Sequence, residues 1–416
     1  MKVVFLSTNE TLGGAAIVTG RLVAALRADG VDARMVVGVR QGDAPWVSKV
    51  GQVRRKLAKV LERGEIFLNN GLERGDLWKV STGRFGADIC AHPWVREADV
   101  VVLGWINQGF LSLAQLRRLM QKGKRVVWWM HDLWCATGIC HLPGECTRFE
   151  LGCGCCPYLH WEKHRGDLSH RVWVDKMNLF QDSGISFVAV SRWQRDMALR
   201  SSLLRGDKIE VVPHAFPVEE YYTEPQVGFD SDKLGFISEN PHKKLIVMGA
   251  ARLDDPVKDF PMAIRSLNLF MERHPAEADD CEAVFFGALR NPDVLSGLKL
   301  SHRWLGTLTV GESRQLYSAA SVVLSTSRFE TMGATLMEGM AAGATPVTFA
   351  RGGQSDIVTD GVNGYIADYG SPESIADCLA RALKQPVFSR EAQHASVAAR
   401  FSASAVAARF RPLLQL

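Results

Sequence analysis

The sequence predicts an α/β protein made of two doubly wound, Rossmann-like domains, and three observations lead there. Its 416 residues are more than one ordinary hydrophobic core organises. Short apolar runs alternate with amphipathic stretches, which is the rhythm of parallel sheets with right-handed helical crossovers. A polar, acidic stretch at roughly 217–243 divides that rhythm into two blocks.

The elements follow in order. VVFLS is a first strand, and after Gly13-Gly14 the segment AAIVTGRLVAALRADG places Ile17, Leu22, Val23 and Leu26 at helical spacing. Gly30 stands where a helix C-cap would end it. ARMVVGV, DVVVLGW, RVVWWMHD, SFVAVS and IEVVPHA are further strands, with helices between them. Residues 40–95 are irregular and resist placement. In the second block LIVMGAA, EAVFFGA, SVVLSTS and TPVTFA read as strands. FPMAIRSLNLFMERH is a helix, with Met262, Ile264, Leu267 and Phe270 on or near one face. FSASAVAARFRPLL reads as a terminal helix with Ser402 as N-cap and Val406 and Phe410 as apolar anchors.

Composition narrows the function classes. With 47% hydrophobic and 23% charged residues the chain reads as soluble and globular. It offers no run of about 18 apolar residues to span a membrane. The start, MKVVFLSTNETLGG, has no basic region ahead of a long apolar core, so it reads as a strand and not a signal peptide, and a cytoplasmic protein is expected. A net charge of +4, without any nucleic-acid motif, argues against nucleic acid as a partner. Two stretches are locally basic: Arg54, Arg55, Lys56, Lys59 and Arg63, opposed only by Glu62, and Arg117, Arg118, Lys122, Lys124 and Arg125. They are either ordinary solvated helix faces or peripheral docking surfaces for anionic lipid on the inner face of a membrane.

In open α/β sheets ligands bind beyond the carboxyl ends of strands, so the candidate residues are sought there. Gly13-Gly14 opens a helix after the first strand; it is a plain tight turn, or a place where a ligand anion meets free backbone N–H groups. Arg252 and Lys258, in the loop after LIVMGAA, are surface cations or a pair that neutralises a diphosphate. The densest signal is SRFETMGATLMEGMAAGATPV. Glu330 lies just past a strand and Glu338 inside the following helix, where carboxylates can grip vicinal hydroxyls of a sugar and a ribose. Thr331, Met332 and Gly333 lie at that helix N-terminus, whose N–H groups favour an anion. His131, followed by Asp132, ends strand RVVWWM and is a packed core histidine or a sugar contact. Asp230-Ser231-Asp232 has the D-x-D form but sits in the polar linker and reads as a turn.

Six of nine cysteines fall between Cys135 and Cys156, a local thiol cluster in a reduced chain. Cys140, Cys146, Cys153 and Cys156, spaced C-x5-C-x6-C-x2-C, could hold a structural zinc, with His141 as an alternative ligand; otherwise they are free or redox-labile thiols.

Together these motifs resemble the retaining glycosyltransferases of family four, which have the GT-B fold of two Rossmann-like domains facing across a cleft. GGAA, the MHD strand end, FVAVSRW, RLDDPVKDF and the Glu-x7-Glu segment followed by AxGATPV occur in that family's order. HDLWCATGICHLPGECTRFELGCGCCP is similar to an insert of colanic-acid-type and related exopolysaccharide transferases. The resemblance implies an acceptor-side domain of residues 1–214 plus 394–416, carrying the Cys-rich insert 135–156 and a terminal crossover helix. It implies a nucleotide-sugar domain of residues 215–393.

The resemblance also implies roles. Arg252 and Lys258 would bind the donor diphosphate, Glu338 the ribose and Glu330 the transferred sugar. The N–H groups of Thr331 to Gly333 would assist, His131 would face the sugar, and Gly13 and Gly14 would approach the donor phosphates or the acceptor. The expected partners are a nucleotide-diphosphate sugar and a glycan or lipid-linked acceptor, with no cofactor needed for catalysis. Three positions depart from the family's habit: Asp259 follows the lysine, Thr331-Met332-Gly333 follows the first glutamate, and Pro213-His214-Ala215 stands at the connector. The rival readings are a nucleotide-sugar epimerase or phosphorylase on the same fold and a non-catalytic nucleotide-sugar or metal-binding protein.

Overall fold

The apolar runs become the central strands of two all-parallel sheets. Val3, Val4, Phe5 and Leu6 are all at most 1% exposed, so successive residues of one strand are buried on both faces. That is the signature of a sheet covered by helices on either side, and it is why these runs are continuous instead of alternating. The computed structural model describes every residue except 162, 163, 182, 222, 224–231, 385–388 and 416. Asp230 and Ser231 therefore lie outside the described residues.

The chain divides into a unit formed by Met1–Ala215 with Val406–Leu416 and a unit formed by Phe216–Ala405. In the first, β1 (Lys2–Asn9), β2 (Asp32–Val39), β3 (Val47–Lys49), β4 (Val100–Leu103), β5 (Arg125–Met130), β6 (Ser186–Ala189) and β7 (Glu210–Val211) lie in the order β3-β2-β1-β4-β5-β6-β7. In the second, β8 (Lys244–Arg252), β9 (Cys281–Ala288), β10 (His302–Trp304), β11 (Ala320–Ser325), β12 (Thr345–Phe349) and β13 (Tyr365–Ala367) lie in the order β10-β9-β8-β11-β12-β13. Each sheet reverses its winding once, between β1 and β4 and between β8 and β11. These are the switch points at which doubly wound sheets open a crevice for ligand.

The terminal helix Ala403–Phe410 forms as its sequence expects: Ser402 Oγ accepts the Ala405 N–H at 3.3 Å, and Val406 and Phe410 are fully buried. Phe410 packs in the first unit on Phe5, with ring centroids 6.0 Å apart, and on Trp129 at 5.5 Å. Removing such a buried ring costs about 3–5 kcal/mol. The chain joins the first unit at Val406. Residues 394–405 stay with the second unit, where Val397 and Phe401 enter the same core as Leu336 and Met340.

The stretch that resisted placement holds the edge strand β3 and a long helix, α2 (Gln52–Asn69). Its pattern is illegible for a physical reason. The helix buries Arg55 and Glu62 and exposes Val53, Leu57 and Val60, the reverse of the rule by which helices are recognised. β10 and β13, also absent from the sequence reading, are edge strands of three residues each.

Candidate functional site

In the second unit the loops leaving β8 and β11 meet at the switch point. The β8 loop turns where Lys258 N–H donates to the Asp255 carbonyl at 2.8 Å. Asp259 then takes a left-handed φ of 48° and starts the helix Phe260–Arg273. The β11 loop is tied to it: Thr326 Oγ1 donates to the Lys258 carbonyl at 2.9 Å, and Arg328 N–H to the Val257 carbonyl at 2.8 Å. Across this junction Lys258 Nζ lies 2.5 Å from Glu330 Oε1, and Ser327 Oγ donates to the same oxygen at 2.9 Å. Both side chains of the ion pair remain about a fifth exposed, at 23% and 21%.

A third segment holds Glu330 in place. The Gly353 N–H donates to the Glu330 carbonyl at 2.7 Å. A Cβ on Gly352 would come within 2.5 Å of the Glu330 backbone, and one on Gly353 within 2.3 Å of the Thr331 carbonyl oxygen. Only glycine allows this approach. Sequence reasoning missed the Gly352-Gly353 pair, because the dipeptide resembles any loop until its contact is known.

Beyond Glu330, Thr331 is half-buried and Met332 buried in the turn, and Gly333, at φ 93°, is the N-cap of the helix Ala334–Ala341. No side chain caps that helix, so its N-terminal N–H groups are left as an anion-favouring end. Glu338 is half-buried on the helix, with Tyr317 fully buried beside it. Burial first, and then the Glu338 carboxylate, hold the Tyr317 phenol well above its ordinary range. Arg252 Nε donates to Asp254 Oδ1 at 3.1 Å, and its side chain is 46% exposed.

In the first unit Gly13, at φ 91°, caps helix α1 (Gly14–Ala28) without any side-chain cap, and a Cβ on Gly13 or Gly14 would meet nothing within 4 Å. His131 follows β5 and is 8% exposed. Its Nε2 lies 3.2 Å from Thr19 Oγ1 and its Nδ1 3.0 Å from His214 Nε2. Thr19 spends its hydroxyl proton on the Ala15 carbonyl at 2.7 Å, so it accepts from His131 Nε2–H. His131 Nδ1 then accepts from His214 Nε2–H. Burial, and secondarily His214, push His131 well below the usual imidazole range; burial and Arg21 bring His214 down to about 4. Both rings are neutral at pH 7. His214 lies 83 residues along the chain from its partner, and no local sequence signal pairs them.

The thiols gather but do not form a ready metal site. Cys140, Cys146, Cys153 and Cys156 all line one cavity of about 20 Å³. Among the described residues, no three Cys, His, Asp or Glu side chains are grouped so as to hold a metal ion as they stand. Backbone N–H groups do point at two sulfurs: Gly138 N–H at Cys153 Sγ, 3.1 Å away, and Tyr158 N–H at Cys156. Burial raises these two thiols to about 11 and about 12. His141 is engaged elsewhere, with Nδ1 2.6 Å from Asp132 Oδ2 and Nε2 3.2 Å from Ser81 Oγ. Lys176, fully buried, donates to the carbonyls of Trp134, Thr137 and Gly138, and burial brings its ammonium down to about 7.

The comparisons agree with this architecture. Residues 230–400 match the family model of glycosyl transferases group 1. A 74-residue stretch, 18% of the chain, is 36% identical to a glycogen synthase of Xanthomonas axonopodis pv. citri and spans only 16% of that relative's length. Among solved structures, Anabaena HepE in complex with UDP and glucose aligns over 100% of this chain and 99% of its own, with a TM-score of 0.60 at 16% identity. A sucrose-phosphate synthase from Thermosynechococcus elongatus aligns over 100% and 98%, with a TM-score of 0.62 at 14% identity. The chain thus has the two-domain, Rossmann-like GT-B fold, and its second unit carries the glycosyl transferases group 1 match.

Proposed function

We propose that this protein is a retaining glycosyltransferase that moves a sugar from a nucleoside-diphosphate sugar to a glycan, with a lipid-linked oligosaccharide of exopolysaccharide, capsule or lipopolysaccharide assembly as acceptor. The observation that carries this reading is the Lys258–Glu330 pair at the β8/β11 switch point, beside an uncapped helix N-terminus. A leaving diphosphate gathers negative charge. In this reading Lys258, Arg252 and the N–H groups of Gly333 and the helix start take up that charge, with no need of a divalent ion. Glu330, released by Lys258, accepts hydroxyls of the transferred sugar, and Glu338 those of the ribose. HepE was solved with UDP and glucose, which favours UDP as the nucleotide here too. A fixed carboxylate pair of the hydrolase type is not required: the acceptor hydroxyl attacks from the face the diphosphate leaves, and the departing phosphate takes its proton.

His131 would meet the sugar as a neutral group that exchanges its Thr19 or His214 bond for a sugar hydroxyl, and not as an acid, since burial disfavours its charged form. Gly13 and Gly14 offer backbone N–H groups to donor phosphate or acceptor. The thiols Cys140, Cys146, Cys153 and Cys156 would turn inward onto one structural zinc. Their shared cavity and the N–H groups aimed at sulfur support this, because such donors stabilise thiolate ligands. Transfer assays with a panel of donors test the function: loss of transfer in both Glu330→Gln and Lys258→Ala is expected, and intact rates in both would refute it.

A further inference from the structure

Helix α2 is built inside out. Its inward residues are Arg55, Ala58, Glu62 and Ile66. Glu62 is 0% exposed and accepts the N–H groups of Thr82 at 2.9 Å and Gly83 at 3.1 Å. Outward, Val53 is 83% exposed, Leu57 57%, Val60 67%, Leu61 45% and Leu68 66%. At 100° per residue these five fall on one face. A stripe of this kind loses about 25 cal/mol for every Å² it keeps in water, so a fold that retains it has another surface in view.

The rim of the stripe says which surface. Arg54 and Lys56 are exposed at the edges of the stripe, Arg54 with its side chain at 74% and its Nη1 3.3 Å from the rim carboxylate of Asp88, and half-buried Lys59 sets its Nζ 5.4 Å from the centroid of the Trp78 ring. The acidic residues of the helix turn away: Glu62 is buried, and Glu65 is bonded to Arg84 at 3.1 Å. Trp78, 60% exposed, adjoins the C-terminal half of the helix, and Trp161, 75% exposed, packs beside Gly71 just past its end. Apolar stripe, cationic flank and edge indoles are the parts of a helix that lies in a bilayer interface with basic residues on anionic headgroups. No helix among the described residues is long and apolar enough to cross a membrane, so the contact would be adsorption.

The second basic stretch differs. Lys124 Nζ donates to the carbonyls of Arg96 and Ala98, both at 2.7 Å, and Arg125 to that of Leu413 at 3.0 Å. The helix Leu113–Gln121 buries Leu113, Leu116 and Leu119 in the ordinary way. Its exposed Arg117, Arg118 and Lys122 therefore have no exposed apolar stripe beside them.

We infer that α2 docks the protein on an anionic bilayer, with Val53, Leu57 and Val60 entering the headgroup boundary and Arg54 and Lys56 meeting lipid phosphate. The inference stands on α2 alone and does not depend on the transferase reading. Flotation with vesicles of phosphatidylcholine plus phosphatidylglycerol, and with phosphatidylcholine alone, tests it. The wild type should float with the anionic vesicles. A Val53→Ser, Leu57→Ser, Val60→Ser variant should lose roughly a hundredfold in partitioning, from the methylenes withdrawn. Arg54→Gln with Lys56→Gln should lose its preference for the anionic vesicles. Both variants should retain the wild-type circular dichroism spectrum and melting temperature, which separates lost docking from lost fold. Equal flotation of the triple variant and wild type, or no flotation of wild type, overturns the inference. So does a wild-type dimer in sedimentation that the triple variant abolishes without any lipid binding, because the stripe would then join two copies of the chain.

Discussion

Lys258 and Glu330 are 72 residues apart in sequence, and the order β9-β8-β11-β12 brings the loops that carry them into a 2.5 Å ion pair. Each residue is the other's counter-ion, so a donor bound as proposed would exchange one set of charge contacts for another. The pair is therefore expected to be worth little to stability and much to function. Lys258→Ala should cost roughly 1 kcal/mol or less in urea unfolding, since a partly exposed pair is screened by water. It should slow transfer by about two to three orders of magnitude, the scale of losing one stabiliser of developing charge. The double variant Lys258→Ala, Glu330→Gln should lose less than the sum of the singles, because the residues are in contact.

Glycine substitutions separate two uses of the residue. Gly353→Ala drives a Cβ to 2.3 Å from the Thr331 carbonyl and 2.8 Å from Met332 Cα, both backbone atoms that cannot swing aside. It should destabilise the second unit by roughly 1–3 kcal/mol and weaken donor binding, read by thermal unfolding and calorimetry. Gly14→Ala meets nothing within 4 Å and sits at the first position of α1, where alanine favours the helix by up to about 1 kcal/mol. An unchanged or raised melting temperature with a lowered transfer rate would mark Gly14 as a place of ligand approach.

The His131–His214 pair makes stability fall with acid. Both rings are held neutral in the folded protein, while the unfolded chain takes up protons near pH 6.5. Above pH 6.5 the pair adds no pH dependence. Below it the unfolded state binds protons that the folded state refuses, so stability declines by up to about 1.4 kcal/mol per pH unit for each ring, until His214 charges at about 4. Urea unfolding at pH 7 and pH 5 should show this decline, and His214→Asn should flatten it. A decline of the same steepness in His214→Asn would mean that other groups cause it.

Metal analysis decides the role of the thiols. Protein purified under reducing conditions should contain about one zinc per chain, and Cys153→Ser should lose it. Four titratable free thiols with no bound metal would leave the cavity as a packed thiol cluster.

Much of this was legible in the sequence. Val3–Leu6, Val126–Met130 and Leu245–Met248 are buried on both faces, and such strands announce themselves as unbroken apolar runs. Lys258 and Glu330, expected from local residue type in the loops after two strands, do lie in the loops after β8 and β11. What stayed hidden depends on contacts across the fold. The Lys258–Glu330 bond, the His214 partner of His131 and the approach of Gly352-Gly353 to Glu330 are set by sheet order, which no local window contains. Arg252, read as a companion of Lys258, bonds to Asp254 two residues along its own loop. Helix α2 escaped because its periodicity points the wrong way for a core helix. Only the exposure of Val53 and the burial of Glu62 show that its apolar side is the outer one.

The most direct test of the donor site is calorimetric titration of UDP, other nucleoside diphosphates and their sugars into wild type and Glu338→Ala. If the second unit holds the donor as proposed, one nucleotide binds wild type with micromolar affinity. Glu338→Ala then weakens it at least about tenfold, the loss of a charge-assisted bond of some 1.4 kcal/mol or more. Binding of equal strength to both proteins, or no binding of any nucleotide to the wild type, would contradict the assignment of Glu338 and of the site around the Lys258–Glu330 pair.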